Sequence, residues 1–402
     1  MHISLDQAIG RQPRLNRVGQ SLLNIASGAS AAYSLRSLTG DDPRVVRVRR
    51  SSDNAEQDFT VSDLGSGALA AYVGNYQTEL SVARNYTTDP YESFTNVSSS
   101  GFTASNASGT AFAGFDLSGA AGDEVEVSFE LTIRSGSPQI RLRTAYDSSS
   151  SASSGTTYTT SGTKTVTLTA TSNFGFISFS EADIPSDFDV SNFQIVSRSE
   201  EGYVETWYDQ SGNGNDVTAA QDEQPKIVES GTLLAGAKFD GTDDFLKATD
   251  VTENTGPALS MFTVSVRTAS SAVASLNSAT LGNVFMVSRD DGSSGQIAIR
   301  NTTNQVLGDP VSGNDRLNFL VTTGNTSYKV GVNGTAVSEG TVSYGDDFEA
   351  GDLNTVVIGA RRPNNPFDFY DGLVKEVIVY NSDQSSNRTA IETNINGHYS
   401  IF

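Results

Sequence analysis

Short segments in which apolar and polar residues alternate occur along most of the chain. Residues 124–131 read Glu-Val-Glu-Val-Ser-Phe-Glu-Leu, and residues 164–169 repeat the pattern with threonine on the polar side. A period of two places the apolar residues on one face of a β-strand. Strand-like segments recur towards the C-terminus at 261–266, 284–288, 296–300, 317–323, 327–333, 354–359 and 373–380. Together with turn residues such as Asn333-Gly334, the pattern predicts an all-β fold of short strands.

The C-terminal residues follow a helical period instead. Ile391, Ile395 and Tyr399 repeat every four residues, and Ser385 or Ser386 precedes them as a candidate N-cap. This predicts a C-terminal helix that lies over the edge of the β-structure.

The first thirty residues differ from the rest of the chain. Their apolar residues have a partly helical spacing that Pro13 and Gly19 interrupt, and so short a segment cannot bury its apolar residues alone. Residues 1–30 therefore either pack on the rest of the chain or form an arm that docks on another protein. The residues assigned to docking are Leu5, Ile9, Arg11, Arg14, Leu15, Arg17, Val18 and Leu22.

Charge and composition exclude several classes of function. The net charge is −21, yet residues 1–50 contain eight arginines and three aspartates, so the body of the chain is strongly acidic. Such a body repels phosphates, and we expect no nucleic acid partner. The absence of cysteine excludes disulfides and thiol chemistry. No apolar run of eighteen residues and no signal pattern occur, so we expect neither membrane insertion nor export by a cleavable signal.

Two sequence segments resemble the catalytic domain of family 54 α-L-arabinofuranosidases. One runs from Ala32-Tyr33-Ser34 to the basic strand 44–50 and Asp53, and the other is Trp207-Tyr208-Asp209-Gln210-Ser211-Gly212-Asn213-Gly214-Asn215-Asp216. The turn Phe239-Asp240-Gly241-Thr242-Asp243-Asp244-Phe245 and the segment 372–380 are similar to concanavalin A-like, laminin-G-like modules of bacteriophage structural proteins.

The resemblance implies a concanavalin A-like β-sandwich made of residues 31–74 and 201–402. Residues 75–200, with their own alternating strands, would then be a second, jelly-roll β-sandwich inserted into it and similar to a carbohydrate-binding module. The expected fold class is all-β, with two sandwiches, a short N-terminal arm and a C-terminal helix.

The catalytic acids that the arabinofuranosidase resemblance implies are not found at the corresponding strands. Retaining glycosidases need two carboxyl groups about 5 Å apart, and the segments 284–288 and 295–300 contain none. Glu376 is the one candidate acid, and its alternative interpretation is an outward-facing partner of Lys375 or an arginine. His2 and His398, the only histidines, are poorly placed for a triad or a metal site. We therefore expect no enzymatic activity.

Two runs of oxygen-bearing side chains are candidate calcium sites. They comprise Asp209, Asn213, Asn215 and Asp216 in one loop, and Asp240, Asp243 and Asp244 in the other. Calcium takes six to eight such oxygens. The alternative is that these side chains satisfy backbone donors of their own turns. Ca²⁺ is the only candidate cofactor.

The combined expectation is a bacteriophage virion surface protein, made in the host cytoplasm and acting outside after lysis. It would be a capsid decoration, head-fibre or short tail-fibre component, present in multiple copies and a candidate homo-oligomer. Its partners would be other virion proteins, reached through the arm, and host-surface glycan. The alternatives are an arabinofuranosidase-like glycoside hydrolase acting on host polysaccharide, and a bacterial adhesin.

Overall fold

The computed structural model describes residues 21–74, 81–83, 93–98, 100–107, 111–116, 124–143, 157–169, 174–180, 186–197, 200–251, 258–267, 271–277, 284–290, 295–299, 303–306, 314–323, 327–341, 354–361 and 364–402. Short strands dominate these residues. In chain order the strands are β1 Ala29–Ser34, β2 Arg44–Arg50, β3 Glu56–Thr60, β4 Ser81–Ala83, β5 Ser93–Ser98, β6 Gly101–Ala107, β7 Ala111–Asp116, β8 Glu124–Ser135, β9 Gln139–Arg143, β10 Thr157–Tyr158, β11 Gly162–Thr169, β12 Phe174–Ser180, β13 Ser186–Ser197, β14 Gly202–Trp207, β15 Val217–Thr218, β16 Lys226–Glu229, β17 Thr232–Asp240, β18 Leu246–Ala248, β19 Ser260–Arg267, β20 Ser271–Asn277, β21 Val284–Asp290, β22 Gly295–Ile299, β23 Thr303–Val306, β24 Arg316–Thr323, β25 Ser327–Val332, β26 Thr335–Thr341, β27 Thr355–Ile358 and β28 Asp371–Tyr380. The helices are α1 Leu22–Ile25, α2 Val61–Ser66, α3 Ala68–Gly74 and α4 Arg388–Tyr399.

Two branches of antiparallel strands make up the larger β-structure. The first branch runs β26-β25-β24-β19-β28. On the other edge of β28, β17 pairs with the first half of the strand and β1 pairs with the second half. The second branch starts at β3, β2 and β14 and continues through β15, β18, β27, β20, β21 and β22 to β23. The branches join at β16, which pairs with both β14 and β17.

Both branches bury one face in a common core. Tyr33 and Val377 from the first branch share a hydrophobic cluster with Val48, Val204 and Ile358 from the second. Trp207, the only tryptophan, is fully buried in the same cluster. The contact explains the alternation along these strands, because every second side chain enters the core.

The first branch is buried on its other face as well. Ile378 and Tyr380 of β28 point away from the common core and pack with Leu22 of α1 and with Ile391 and Ile395 of α4. A strand covered on both faces loses its visible alternation, which explains the continuous apolar run that ends β28. Each large apolar side chain buried here contributes about 1.5–3 kcal/mol.

Strands between residues 81 and 197 form two further five-stranded sheets. Their orders are β11-β8-β13-β6-β5 and β10-β9-β12-β7-β4, with antiparallel pairing throughout. Phe129 and Leu131 of the first sheet share a core with Ile140 and Leu142 of the second. The eight strands from β6 to β13 follow the order of a jelly roll, with β6-β13-β8-β11 in one sheet and β7-β12-β9-β10 in the other. The predicted all-β fold class with a C-terminal helix is thus confirmed, while the domain boundaries at 31–74, 75–200 and 201–402 stay a prediction.

Two local sequence predictions can be compared with the backbone. Asn333 and Gly334 both have positive φ, 49° and 77°, as the predicted type I′ hairpin requires. The helix α4 begins at Arg388, with Asn387 at the N-cap position, and not after Ser385 or Ser386. Ser385 is held in a turn instead, where its backbone N–H donates to Asp383 Oδ1 at 2.8 Å.

The predicted arm is described only in part. Its residues Leu5, Ile9, Arg11, Arg14, Leu15, Arg17 and Val18 lie outside the described residues. Leu22 is fully buried under α4. It is therefore a core residue and not, as the sequence had predicted, a docking residue. The prediction of an arm up to residue 30 is wrong at that end, because α1 and the start of β1 belong to the body. None of the described helices has the length and apolar character needed to cross a membrane.

Candidate functional site

One row of polar side chains crosses four strands where the two branches join. Arg49 lies opposite Tyr203, Tyr203 opposite Lys226, and Lys226 opposite Lys238. Directly opposed residues of antiparallel strands share a face of the sheet. The alternate residue Val204 enters the core, so the row faces outward.

The row forms part of a cleft of about 810 Å³, a volume typical of ligand sites. Each side chain that lines the cleft carries a hydrogen-bonding group. The lining residues are Arg49, Ser51, Tyr203, Gln221, Asp222, Gln224, Lys226, Glu229, Lys238, Asp240, Asp243 and Asp244.

Arg49 is rigidly held although it reaches the cleft. Only 7% of the residue is exposed, and its guanidinium carbon lies 4.6 Å from the centre of the Tyr203 ring. Nε donates to Gln224 Oε1 at 2.7 Å, Nη1 to Asn54 Oδ1 at 2.8 Å and Nη2 to the Gln221 carbonyl at 3.3 Å. All three acceptors are neutral.

The two lysines of the row share carboxylates. Lys238 Nζ lies 2.6 and 2.7 Å from the two carboxylate oxygens of Glu229. Lys226 lies 3.7 Å from Glu229 and 3.5 Å from Glu201. The hydrogen bond from Lys238 is the main reason why the pKa of Glu229 falls below its ordinary value. These ion pairs offset the repulsion between adjacent lysines.

Residues 240–244, here called the Asp240 turn, contribute three aspartates to the lining of the cleft. Asp240, Asp243 and Asp244 each offer a carboxylate oxygen, and these atoms all lie within 4.8 Å of one another. Asp244 is buried, and one oxygen accepts the Asp240 backbone N–H at 3.0 Å. Burial, and next the negative charge of Asp240, raise the pKa of Asp244 to about 7. The structure therefore brings together the second predicted set of calcium ligands.

Residues 209–216, here called the Asp209 loop, use their polar groups differently. The Asp209 carboxylate accepts hydrogen bonds from the backbone N–H groups of Ala32 and Ser211, both at 2.8 Å, and of Asn215 at 3.1 Å. The Ser211 hydroxyl donates to it at 2.6 Å. Asp216 Oδ1 accepts the Asp209 N–H at 2.8 Å. The Asp209 carboxylate thus joins the loop to β1, and the Asp216 carboxylate closes the loop on itself.

The two asparagines of the Asp209 loop also bind β1. Asn213 Nδ2 donates to the carbonyl of Ala29 at 2.9 Å, and Asn215 Nδ2 donates to that of Ser30 at 2.7 Å. The four residues predicted as one calcium site thus satisfy backbone groups, as the alternative interpretation states. Calcium at this loop stays a prediction.

Glu376 lies away from the cleft. Its carboxylate is fully buried and receives Arg36 Nε at 2.7 Å and Nη2 at 2.9 Å, together with the Ser34 hydroxyl at 2.9 Å. The predicted arginine partner is present, but the side chain faces inward and not outward. Lys375 pairs with Asp315 at 2.6 Å instead. Both carboxylate oxygens of Glu376 therefore already have donors inside the protein.

The row of Arg49, Tyr203, Lys226 and Lys238 was not predicted from the sequence. Asp53 and Asp58 pair with Arg50 and Arg47 of β2. Arg49 takes neutral partners. The signal that was available is the alternation in β2, which places Arg47 and Arg49 on the face opposite Val46 and Val48. It does not indicate which strands lie alongside.

No family model and no curated protein matches the chain. The similar solved structures include a mutant of Trypanosoma rangeli sialidase displaying trans-sialidase activity, at 16% identity and a TM-score of 0.38, which covers 48% of this chain and 31% of that one. The Trypanosoma rangeli sialidase in complex with the inhibitor DANA matches at 15% identity and a TM-score of 0.37, over 46% and 30% of the two chains. The Ruminococcus gnavus IT-sialidase CBM40 bound to α2,6-sialyllactose matches at 15% identity and a TM-score of 0.29. This match covers 35% of this chain and 85% of that one.

These matches correct one expectation. The chain was expected to lack enzymatic activity, and this comparison contradicts that expectation, since the similar solved structures include sialidases. The alignment spans less than a third of the sialidase chains, and identities and TM-scores this low transfer neither a substrate nor a catalytic residue. The resemblance to phage modules and to family 54 enzymes stays a prediction.

Proposed function

We propose that the protein binds carbohydrate in the cleft between Arg49 and the Asp240 turn. The observation that carries the proposal is the lining itself, in which each side chain can donate or accept a hydrogen bond. Sugar hydroxyls need many such partners, whereas an apolar ligand would leave them unsatisfied. Tyr203 adds an aromatic ring that Arg49 holds in place.

The charges in the cleft support a hydroxyl-rich ligand. Lysines 226 and 238 are paired with glutamates, so their donors are oriented before a ligand arrives. Asp244, with its pKa of about 7, is present in both its protonated and ionised forms at neutral pH. It can therefore donate a hydrogen bond to a hydroxyl or accept one from it.

A matched pair of tyrosines tests the proposal. Tyr203 and Tyr208 both stack on an arginine at 4.6 Å, but only Tyr203 lines the cleft. We expect the full chain to bind members of an oligosaccharide panel, and Tyr203→Ala to weaken binding roughly tenfold while Tyr208→Ala leaves it unchanged. Calorimetry measures the affinities, and circular dichroism checks the fold of each variant. Binding by no oligosaccharide, or equal losses in both variants, would overturn the proposal.

A specific observation favours glycoside hydrolysis as a second candidate function of the same cleft. Asp244 carries a proton near neutral pH, and the carboxylates of Asp240 and Asp243 lie close to it. An acid with a raised pKa beside an ionised carboxylate is the pair that glycosidases use. In this mechanism Asp244 protonates the leaving oxygen, and a neighbouring aspartate attacks the sugar or activates water.

Hydrolysis is tested with a panel of nitrophenyl glycosides that includes arabinofuranosides. We expect release of nitrophenol near neutral pH, and Asp244→Asn should lower the rate roughly 100-fold or more. Glu376→Gln serves as a comparison, since Glu376 lies outside the cleft. If no glycoside is cleaved, or if Asp244→Asn cleaves as fast as the unchanged chain, this candidate is rejected.

Location on a bacteriophage particle is a further proposal that rests on the sequence alone. The basic N-terminal segment on an acidic body supports it. The test is to delete residues 1–20 and no more, because Leu22 belongs to the core. We expect a folded body that no longer joins particles, and continued assembly would contradict the docking role.

A further inference from the structure

The cleft contains a buried guanidinium that has no counter-ion among the described residues. Arg49 is only 7% exposed, whereas the other arginines of β2 form ion pairs. Arg44 and Arg47 bind Asp58, and Arg50 binds Asp53. Within the part of the chain that the structure describes, no carboxylate lies within ion-pair distance of Arg49.

The donors of Arg49 are only partly used. A guanidinium has five N–H groups, and three of them reach Gln224, Asn54 and the Gln221 carbonyl. Among the described residues the remaining two N–H groups have no acceptor. One of them is on Nη1 and the other on Nη2, and a carboxylate accepts charge-assisted hydrogen bonds from such groups.

Burial of an uncompensated charge costs free energy. The three neutral acceptors and the Tyr203 ring hold Arg49 in position, but none of them neutralises it. A negatively charged group of the ligand would do so, and it would gain from the low exposure of the site because charge-assisted hydrogen bonds strengthen away from water.

The cations of the row are spread along the cleft. Arg49 and Lys238 are three strands apart in the row, which corresponds to about 14 Å at the usual strand spacing. The aspartates of the Asp240 turn follow Lys238 in the chain, and Asp222 lines the cleft next to Gln221. The two lysines of the row already share Glu229 and Glu201. Arg49 is thus the cation of the row that is available to an anion.

We infer that the carbohydrate bound in this cleft carries a carboxylate, as uronic and other acidic sugars do, and that Arg49 binds this group. The inference rests on the proposed function and names its ligand class. The hydroxyl-rich remainder of the sugar then extends towards Lys238 and the Asp240 turn.

The experiment compares an oligogalacturonate with the same oligosaccharide after reduction of its carboxyl groups. Both are titrated into the full chain by calorimetry, in EDTA so that no divalent cation bridges the ligand to the aspartates. We expect the carboxylated form to bind at least about tenfold more tightly. Arg49→Gln should abolish this preference, and Arg44→Gln should retain it, because Arg44 stacks on Tyr208 in the same way but lies outside the cleft.

The outcomes separate this inference from the proposed function. Equal binding of the two forms, or a preference that survives Arg49→Gln, overturns the inference while carbohydrate binding stands. If neither form nor any neutral oligosaccharide binds, both fall. Should Arg49→Gln fail to fold, Arg49→Lys keeps the charge but loses the paired N–H groups, and a preference undiminished in that variant would count against the inference.

Discussion

The Asp209 loop and the Asp240 turn have similar compositions and opposite environments. Asp209 accepts four hydrogen bonds, three of them from backbone N–H groups. Asp244 is the more buried of the two and accepts one backbone N–H, while two further carboxylates lie beside it. The pKa of Asp244 is raised to about 7 as a result.

The difference shows that an acidic turn acquires its role from the donors around it. In the Asp209 loop one donor comes from Ala32 of β1 and the other three come from Ser211 and Asn215 of the loop itself, so the carboxylate is a structural acceptor. In the Asp240 turn the neighbouring groups are themselves acidic, so the site retains the capacity to bind a proton, a cation or a sugar hydroxyl. The same residue type is therefore structural in one turn and chemically available in the other.

The largest effect is expected from Asp209→Ala. Removing the carboxylate leaves the N–H groups of Ala32, Ser211 and Asn215 without their acceptor, and we expect the free energy of unfolding to fall by about 4 kcal/mol. Denaturant unfolding measures it. Asp222→Ala is the control, since Asp222 is exposed and should change stability by less than about 0.5 kcal/mol. Equal stabilities of the two variants would show that Asp209 does not anchor the loop.

Asp244→Asn is expected to act in the opposite direction and only at higher pH. Since the folded-state pKa lies above that of the unfolded chain, the folded state binds more protons between about pH 4 and pH 7. Its ionisation therefore destabilises the protein as pH rises through this window. We expect Asp244→Asn to stabilise the protein by roughly 3 kcal/mol at pH 8 and to have little effect at pH 4.

The measurement for Asp244 is denaturant unfolding of both proteins at several pH values. The difference between them isolates this residue, because the other titrating groups are shared. A difference that does not vary with pH would contradict the raised pKa. The same result with Asp222→Asn would assign the effect to net charge.

Calcium binding is a third property in which we expect the Asp209 loop and the Asp240 turn to differ. At pH 8, where Asp244 is ionised, we expect free Ca²⁺ at about ten times its Kd to stabilise the protein by about 1.5 kcal/mol, and EDTA to reverse this. The response should disappear in Asp240→Ala and persist in Asp209→Ala. The reverse pattern would place the ion in the Asp209 loop, and no response in the unchanged chain would reject both calcium predictions.

The last comparison concerns one glycine in each turn, and Gly212 has the smallest expected effect. Gly212 and Gly241 both have positive φ, 89° and 77°. A Cβ at Gly212 meets nothing within 4 Å, whereas one at Gly241 lies 2.9 Å from the Cβ of Asp371. We expect Gly212→Ala to cost about 1 kcal/mol for the backbone conformation alone, and Gly241→Ala about 1 kcal/mol more. Thermal unfolding compares them, and equal losses would contradict the close contact.

Much of the secondary structure could be predicted from the chain. Segments such as 261–266 and 327–333 correspond to β19 and β25, because alternation directly records which side chains face a core. The start of α4 was misplaced by one or two residues, since a turn at Asp383 uses Ser385.

The candidate site was predictable only in its local parts. The Asp240 turn is a single short segment, so its three aspartates could be grouped from the sequence. Arg49, Tyr203, Lys226 and Lys238 are separated by long stretches of chain, and only the pairing of β2, β14, β16 and β17 puts them in a row.

The sequence by itself determined the all-β class, the C-terminal helix, the acidic body and the positions of the two acidic turns, since these follow from local periodicity and composition. The tertiary structure alone decided which turn is satisfied by β1, which acid is buried beside other acids, and which arginine reaches the cleft without a carboxylate partner among the described residues. The physical reason is that hydrogen-bond satisfaction and desolvation depend on neighbours distant in the chain. For Asp209 the distant neighbour is Ala32 of β1, and for Asp244 the tertiary contribution is burial, since the acids beside it are local in the chain.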